Sequence, residues 1–125
     1  MAAGNHFKSQ RETTSVENLL AGTEDETLEF KEAKQSYPFD KLAKYCCAIA
    51  NSGGGKLVLG VTDRRPRSVV GTQAFSQLEE ARRSLTERIP LMITVREEAV
   101  DGKRVLVFNI PARPVGMPLQ YRGIY

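Results

Sequence analysis

The segment Asn51-Ser52-Gly53-Gly54-Gly55-Lys56 constrains the fold more than any other part of the chain. Three consecutive glycines cost roughly 1 kcal/mol each inside a helix but are cheap in left-handed turns, so a helix that reaches Asn51 must stop there. One does reach it. From Asp40 onward, Leu42, Tyr45, Cys46, Ile49 and Ala50 follow the spacing of a buried helical stripe. Beyond the glycines, Lys56 to Val61 reads as a strand. The centre of the chain is therefore a helix, a tight turn and a strand.

The flanks extend this pattern. Residues 1–13 are polar and aperiodic and read as a disordered lead, with one domain over 14–125. Thr14 with Glu17 forms a capping box ahead of Val16, Leu19 and Leu20, and Gly22 suits the stop of that short helix. From Thr27 to Glu32 apolar Leu28 and Phe30 alternate with Thr27, Glu29 and Lys31, the period of a half-buried strand. After the central strand come a polar turn from Thr62 to Ser68 and a brief strand at Val69 and Val70. A Ser76–Glu79 capping box then opens a helix whose apolar face is Leu78, Ala81, Leu85 and Ile89. Two β-branched runs follow, Leu91 to Val95 and Arg104 to Ile110, with Asp101-Gly102 as a hairpin signal. The order αβαβ(β)αββ, with helices and an antiparallel hairpin mixed, predicts an α+β two-layer sandwich, a mixed sheet with helices packed on it. Beyond Pro118 the chain reads as a strand, a turn and the start of another strand, the expectation for one domain cut from a longer protein.

The 125 residues suit one domain and are too few for two ordinary cores. No run approaches the about 20 apolar residues that span a bilayer, and the N-terminus lacks the apolar core of a secretory signal. The expectation is a soluble protein of the cytoplasm, or of the nucleus in a eukaryote, with no membrane partner. The single histidine, His6, lies in the polar lead, which argues against a Ser-His-Asp hydrolase or a histidine-held zinc. Carboxylates remain as metal ligands. Cys46 and Cys47 are adjacent and ill placed for a disulfide with each other, so they read as reduced core fillers.

Charge is unevenly spread: residues 1–50 carry a net −2 and residues 51–125 a net +5, with Arg64, Arg65 and Arg67 around Pro66. A basic half suits a surface that tracks phosphates, beside an acidic patch that holds cations.

Taken together, GTEDETLEFKEA at 22–33, KLAKYCCAIANSGGGKLVLGVTD at 41–63 and VFNIP at 107–111 resemble the Schlafen-type AlbA domain, over about residues 14–125. That resemblance implies kinship with bacterial and archaeal transcriptional regulators and RecG-related, helicase-like proteins, in which a C-terminal winged-helix region usually follows. The vertebrate members imply a metal-dependent endoribonuclease acting on transfer RNA with a Glu/Glu/Asp centre, which by type, order and spacing maps onto Glu24, Glu29 and Asp63. Three carboxylates gathered together raise one another's pKa unless cations neutralise them, and Mg²⁺ or Mn²⁺ so held activates water against a phosphodiester. Positions 24 and 29 differ by an odd number, so a continuous strand would turn their side chains to opposite faces, and a shared site needs a bend near Asp25. Each acid also has an ordinary reading: a solvated acidic run at Glu24, an exposed strand face at Glu29, a turn-forming aspartate at Asp63.

Lys31, Lys34, Arg64, Arg65 and Arg67 are the candidate nucleic-acid contacts, joined by a phosphate-binding turn of Asn51, Ser52, Gly53, Gly54, Gly55 and Lys56. That turn is not a P-loop: Leu57 follows the lysine where Ser or Thr is required, and a helix precedes the glycines, so ATP is unsupported. Phe30, Phe39, Tyr45 and Phe108 are expected in the core, leaving Tyr37, Tyr121 and Tyr125 to stack on bases. The leading expectation is a nucleic-acid-binding domain that grips RNA or DNA by its backbone with little base reading. The alternatives are the metal-dependent ribonuclease and a protein interaction or homo-oligomerisation module that pairs through a strand edge.

Overall fold

The computed structural model describes residues 15–20 and 27–120. Their order is α1 (Val16–Leu20), β1 (Thr27–Lys31), α2 (Phe39–Asn51), β2 (Gly55–Leu59), α3 (Leu78–Arg88), β3 (Thr94–Val100) and β4 (Lys103–Ile110). The four strands make one sheet in the order β1-β2-β4-β3. β1 and β2 run parallel, with Thr27 opposite Gly55 and Lys31 opposite Leu59, and α2 makes the crossover between them. β4 is antiparallel to both β2 and β3. This is the α+β mixed sheet with packed helices that the sequence predicts.

Leu57 and Leu59 of β2 and Leu106, Phe108 and Ile110 of β4 meet Leu42, Cys46 and Ile49 of α2 and Leu85 of α3. Burying each such side chain is worth about 1.5–3 kcal/mol. The opposite face is also closed: Phe30, Val58, Val105 and Val107 pack with Val16 and Leu19 of α1 and with Val61. β2 and β4 are apolar at successive rather than alternate positions, which is what strands buried on both sides require. At the edges, β1 keeps polar residues at alternate positions and β3 carries a charged run, Arg96, Glu97 and Glu98.

The glycines act as the sequence demands. Gly53 and Gly54 have φ of +104° and +92°. The amides of Ser52 and Gly53 donate to the carbonyls of Ala48 and Ala50, and that of Gly54 to Ile49, ending α2. Gly55 has an ordinary φ, but a Cβ there would lie 2.1 Å from the Thr27 carbonyl oxygen. At the hairpin, Asp101 and Gly102 have φ of +53° and +76°, as a type I′ turn needs.

Several boundaries differ from the sequence reading. The cap of α1 is Ser15, whose Oγ accepts from the Asn18 amide at 3.3 Å, and Thr14 and Gly22 lie outside the described residues. Gln77, not Ser76, precedes α3 and makes no side-chain cap; Glu79 instead pairs with Arg82 at 3.0 Å. β3 spans Thr94–Val100 rather than 91–95, because its Arg96, Glu97 and Glu98 tolerate an edge position while Ile93 is drawn into the core. β2 ends at Leu59, and Val61 instead forms a single bridge with Val69. Phe30 and Phe108 are buried, Phe39 and Tyr45 only half-buried, and Cys46 and Cys47 are buried free thiols. Among the described residues no helix is long and apolar enough to cross a membrane.

Candidate nucleic-acid interface

Because β1 and β2 are parallel, their carboxyl ends emerge side by side, Lys31 next to Leu59. The amide of Gly60 donates to the Lys31 carbonyl at 2.8 Å, and the chain then enters a loop closed by the Thr62 amide on the Ser68 carbonyl at 3.0 Å. The Ser68 amide also donates to Thr62 Oγ1 at 2.9 Å. That closure presents Asp63, Arg64 and Arg65 to solvent, with Lys34 exposed in the loop that follows β1. The structure thus collects Lys31, Lys34, Asp63, Arg64 and Arg65 at one end of the sheet.

Lys31 is the best-held of these cations. It projects on the α2 side of β1, with Nζ 4.9 Å from the centroid of the Tyr45 ring and 4.0 Å from Asp63 Oδ2. Its hydrogen bond to Tyr45, with the charges of Asp63 and Glu29, raises its pKa above the usual lysine value against the opposing effect of burial. The Asp63 side chain is 57% exposed, so this pair adds less than about 1 kcal/mol of stability.

Glu29 lies on the same side of β1 as Lys31, so two of the three predicted acids face one ammonium. Glu24 lies outside the described residues. Among the described residues no three His, Cys, Asp or Glu side chains converge as metal ligands. The Lys31 ammonium stands 4.0 Å from Asp63 Oδ2, and the charge of Glu29 also acts on it.

Arg67 parts company with Arg64 and Arg65. Its guanidinium carbon sits 4.3 Å from the centroid of Phe30, on the other face of β1. Nε and Nη1 are buried without a hydrogen-bond partner among the described residues, so this arginine is turned inward. The glycine turn also lies apart, at the amino end of β2, about 13 Å of strand away from Leu59. Its Ser52, Gly53 and Gly54 amides are spent on α2. The Asn51 side chain is clamped to Leu119, donating from Nδ2 to the carbonyl and accepting the amide at Oδ1, both at 2.9 Å. These groups form a helix cap and a strap for the C-terminal segment rather than an anion nest.

Tyr37, expected to stack freely, is half-buried with Lys41 5.9 Å from its ring centroid. Burial, with smaller effects from Tyr45, Cys46 and Glu29, pushes its hydroxyl up to about 12. Tyr121 and Tyr125 lie outside the described residues. Two cations were missed from sequence: Lys103 and Arg104 open β4 and reach the same end of the sheet as Lys34. The Asp101-Gly102 turn carries the signal, since a hairpin lying antiparallel to β2 brings residue 103 to that end.

The profile of the Schlafen, AlbA_2 family matches residues 24–124. The crystal structure of the DIP2311 protein from Corynebacterium diphtheriae is similar at a TM-score of 0.64 and 26% identity, covering 89% of this chain and 24% of that one. This chain therefore spans about a quarter of that protein. The solution structure of the N-terminal domain of a Nitrosomonas europaea protein, named as related to the ATP-dependent DNA helicase RecG, has the same fold. Its TM-score is 0.58 at 23% identity, over 86% of this chain and 78% of that domain. No curated protein matches. With the profile covering most of its length, the chain belongs to the Schlafen AlbA_2 family.

Proposed function

We propose that this chain is a nucleic-acid-binding module that holds the phosphate backbone of RNA or DNA at the carboxyl ends of β1 and β2. The observation that carries this reading is the convergence there of exposed Lys34, Arg64 and Arg65 with Lys31, which is oriented by Tyr45. Such cations release condensed counterions when they meet phosphates, so their contribution to binding is strong at low salt and itself carries no sequence information. Membership of the family and the name of the Nitrosomonas relative support the same reading. In a longer protein, such as a transcriptional regulator or a helicase-related one with a winged-helix region, the module would anchor the remaining parts on nucleic acid.

The test is incubation with labelled transfer RNA, single-stranded DNA and duplex DNA, with Mg²⁺, with Mn²⁺ and with EDTA. The reading predicts retention that falls steeply with salt and is unchanged by EDTA. Cleavage that needs the metal and vanishes in Glu29→Gln would instead establish a ribonuclease acting through Glu24, Glu29 and Asp63. Neither retention nor cleavage would leave a module that pairs with protein.

A further inference from the structure

Two shallow, open depressions lie side by side next to this surface as a wide and a narrow end of one open groove, sharing a border. The wider, about 710 Å³, is bounded by Lys34, Lys103, Arg104 and Glu97, and the narrower, about 410 Å³, by Tyr37, Phe39, Phe75 and Gln77. Gln35, Gln73 and Ser76 border both. These volumes fall within the roughly 300–1,000 Å³ of small-ligand sites.

The two ends differ in chemistry. At the wide end the one carboxylate, Glu97, is taken by Arg104 at 3.2 Å, while Lys34 and Lys103 have no acidic partner among the described residues. The narrow end is lined by aromatic rings, glutamine amides and serine hydroxyls, with Glu80 as its single charge. Amides supply a donor and an acceptor side by side, as the edge of a base requires, and the rings of Tyr37 and Phe39, which carry the Lys41 ammonium and the Arg88 guanidinium 5.9 and 5.3 Å from their centroids, supply apolar surface beside it.

The walls are fixed before any ligand arrives. The Gln73 amide donates to the Lys34 carbonyl at 2.9 Å, and Thr72 Oγ1 donates to the Ala33 carbonyl. Arg104 donates from Nη1 to the Ala74 carbonyl at 2.7 Å and from Nη2 to that of Phe75 at 2.9 Å. Ala33 and Phe75 are held at φ of +43° and +54°, which non-glycine residues rarely adopt. A wall so held loses little freedom on binding.

We infer that this groove seats one unpaired nucleotide, its phosphate against Lys34 and Lys103 and its base among Gln35, Gln73 and the rings of Tyr37 and Phe39. The inference rests on the nucleic-acid reading and deepens it: the domain reads a base as well as the backbone, and it favours single strands, whose bases are free to enter.

Fluorescence anisotropy with labelled ten-nucleotide adenosine, cytidine and uridine homopolymers and a duplex tests this on the whole chain. One homopolymer is expected to bind at least tenfold more tightly than the others and than the duplex. Gln35→Ala/Gln73→Ala, changes at exposed side chains, should cut that preference below twofold and leave the salt dependence intact. Lys34→Ala/Lys103→Ala should weaken all homopolymers alike and lower the salt slope by about 1. Equal binding of the homopolymers, preference surviving the glutamine changes, or no effect of the lysine changes would overturn the inference while backbone binding stands. Absence of salt-sensitive binding to every probe would overturn the nucleic-acid reading itself.

Discussion

At Gly55 one hydrogen atom decides whether β1 and β2 can pair. A methyl group there would enter the Thr27 carbonyl, a backbone atom with no rotamer to adjust, so Gly55→Ala is expected to cost about 3 kcal/mol or more in urea unfolding. Gly102→Ala is the contrast: its Cβ meets nothing within 4 Å, and only the positive φ is penalised, by about 1 kcal/mol. Equal losses in the two variants would refute the steric account. Burial also pushes the Cys46 thiol and the Tyr37 hydroxyl each up to about 12, from ordinary values of 9 and 10. Both groups hold their protons more tightly folded than unfolded, so the folded state is favoured below pH 9 and loses stability as pH rises from 9 to 12. Absorbance titration should show a tyrosine fraction that ionises only near pH 12 and disappears in Tyr37→Phe. Ionisation of all tyrosines near pH 10 in the folded protein would contradict it.

Among the elements, the helix-turn-strand from α2 to β2 is the part most legible in the sequence, because local rules set it: helical periodicity, glycine conformations and an apolar run. The β3 boundary was not, since an edge strand with Arg96, Glu97 and Glu98 shows no clean alternation and its limits come from pairing with β4. The role of Asn51 was equally hidden. Its partner Leu119 is 68 residues away, and a polar residue beside glycines reads as a ligand donor until the tertiary contact is seen. Asn51→Ala should lose two hydrogen bonds to a part-buried backbone and about 1–3 kcal/mol of stability, with nucleic-acid binding unchanged. A loss of binding without a loss of stability would return Asn51 to the interface.

Over the whole molecule, chain direction decides which sequence-adjacent candidates become neighbours in space. Parallel pairing of β1 and β2 gathers Lys31, Lys34, Asp63, Arg64 and Arg65 from two separate motifs, and the hairpin adds Lys103. The same pairing sends the Asn51–Lys56 turn to the far end and lets Arg67 fold onto Phe30. The types of residue at the site were legible from sequence, while its membership depended on topology. The most direct measurement compares Lys34→Ala/Arg64→Ala with Arg83→Ala/Arg113→Ala, which removes the same charge from α3 and from the opposite end of the sheet. In titrations of labelled single-stranded RNA at several salt concentrations, the first pair is expected to weaken binding about tenfold or more and flatten the salt slope by about 1–2, while the second pair changes affinity less than twofold. Equal effects of the two pairs would show that net charge alone draws the chain to nucleic acid and that the carboxyl ends of β1 and β2 are not the site.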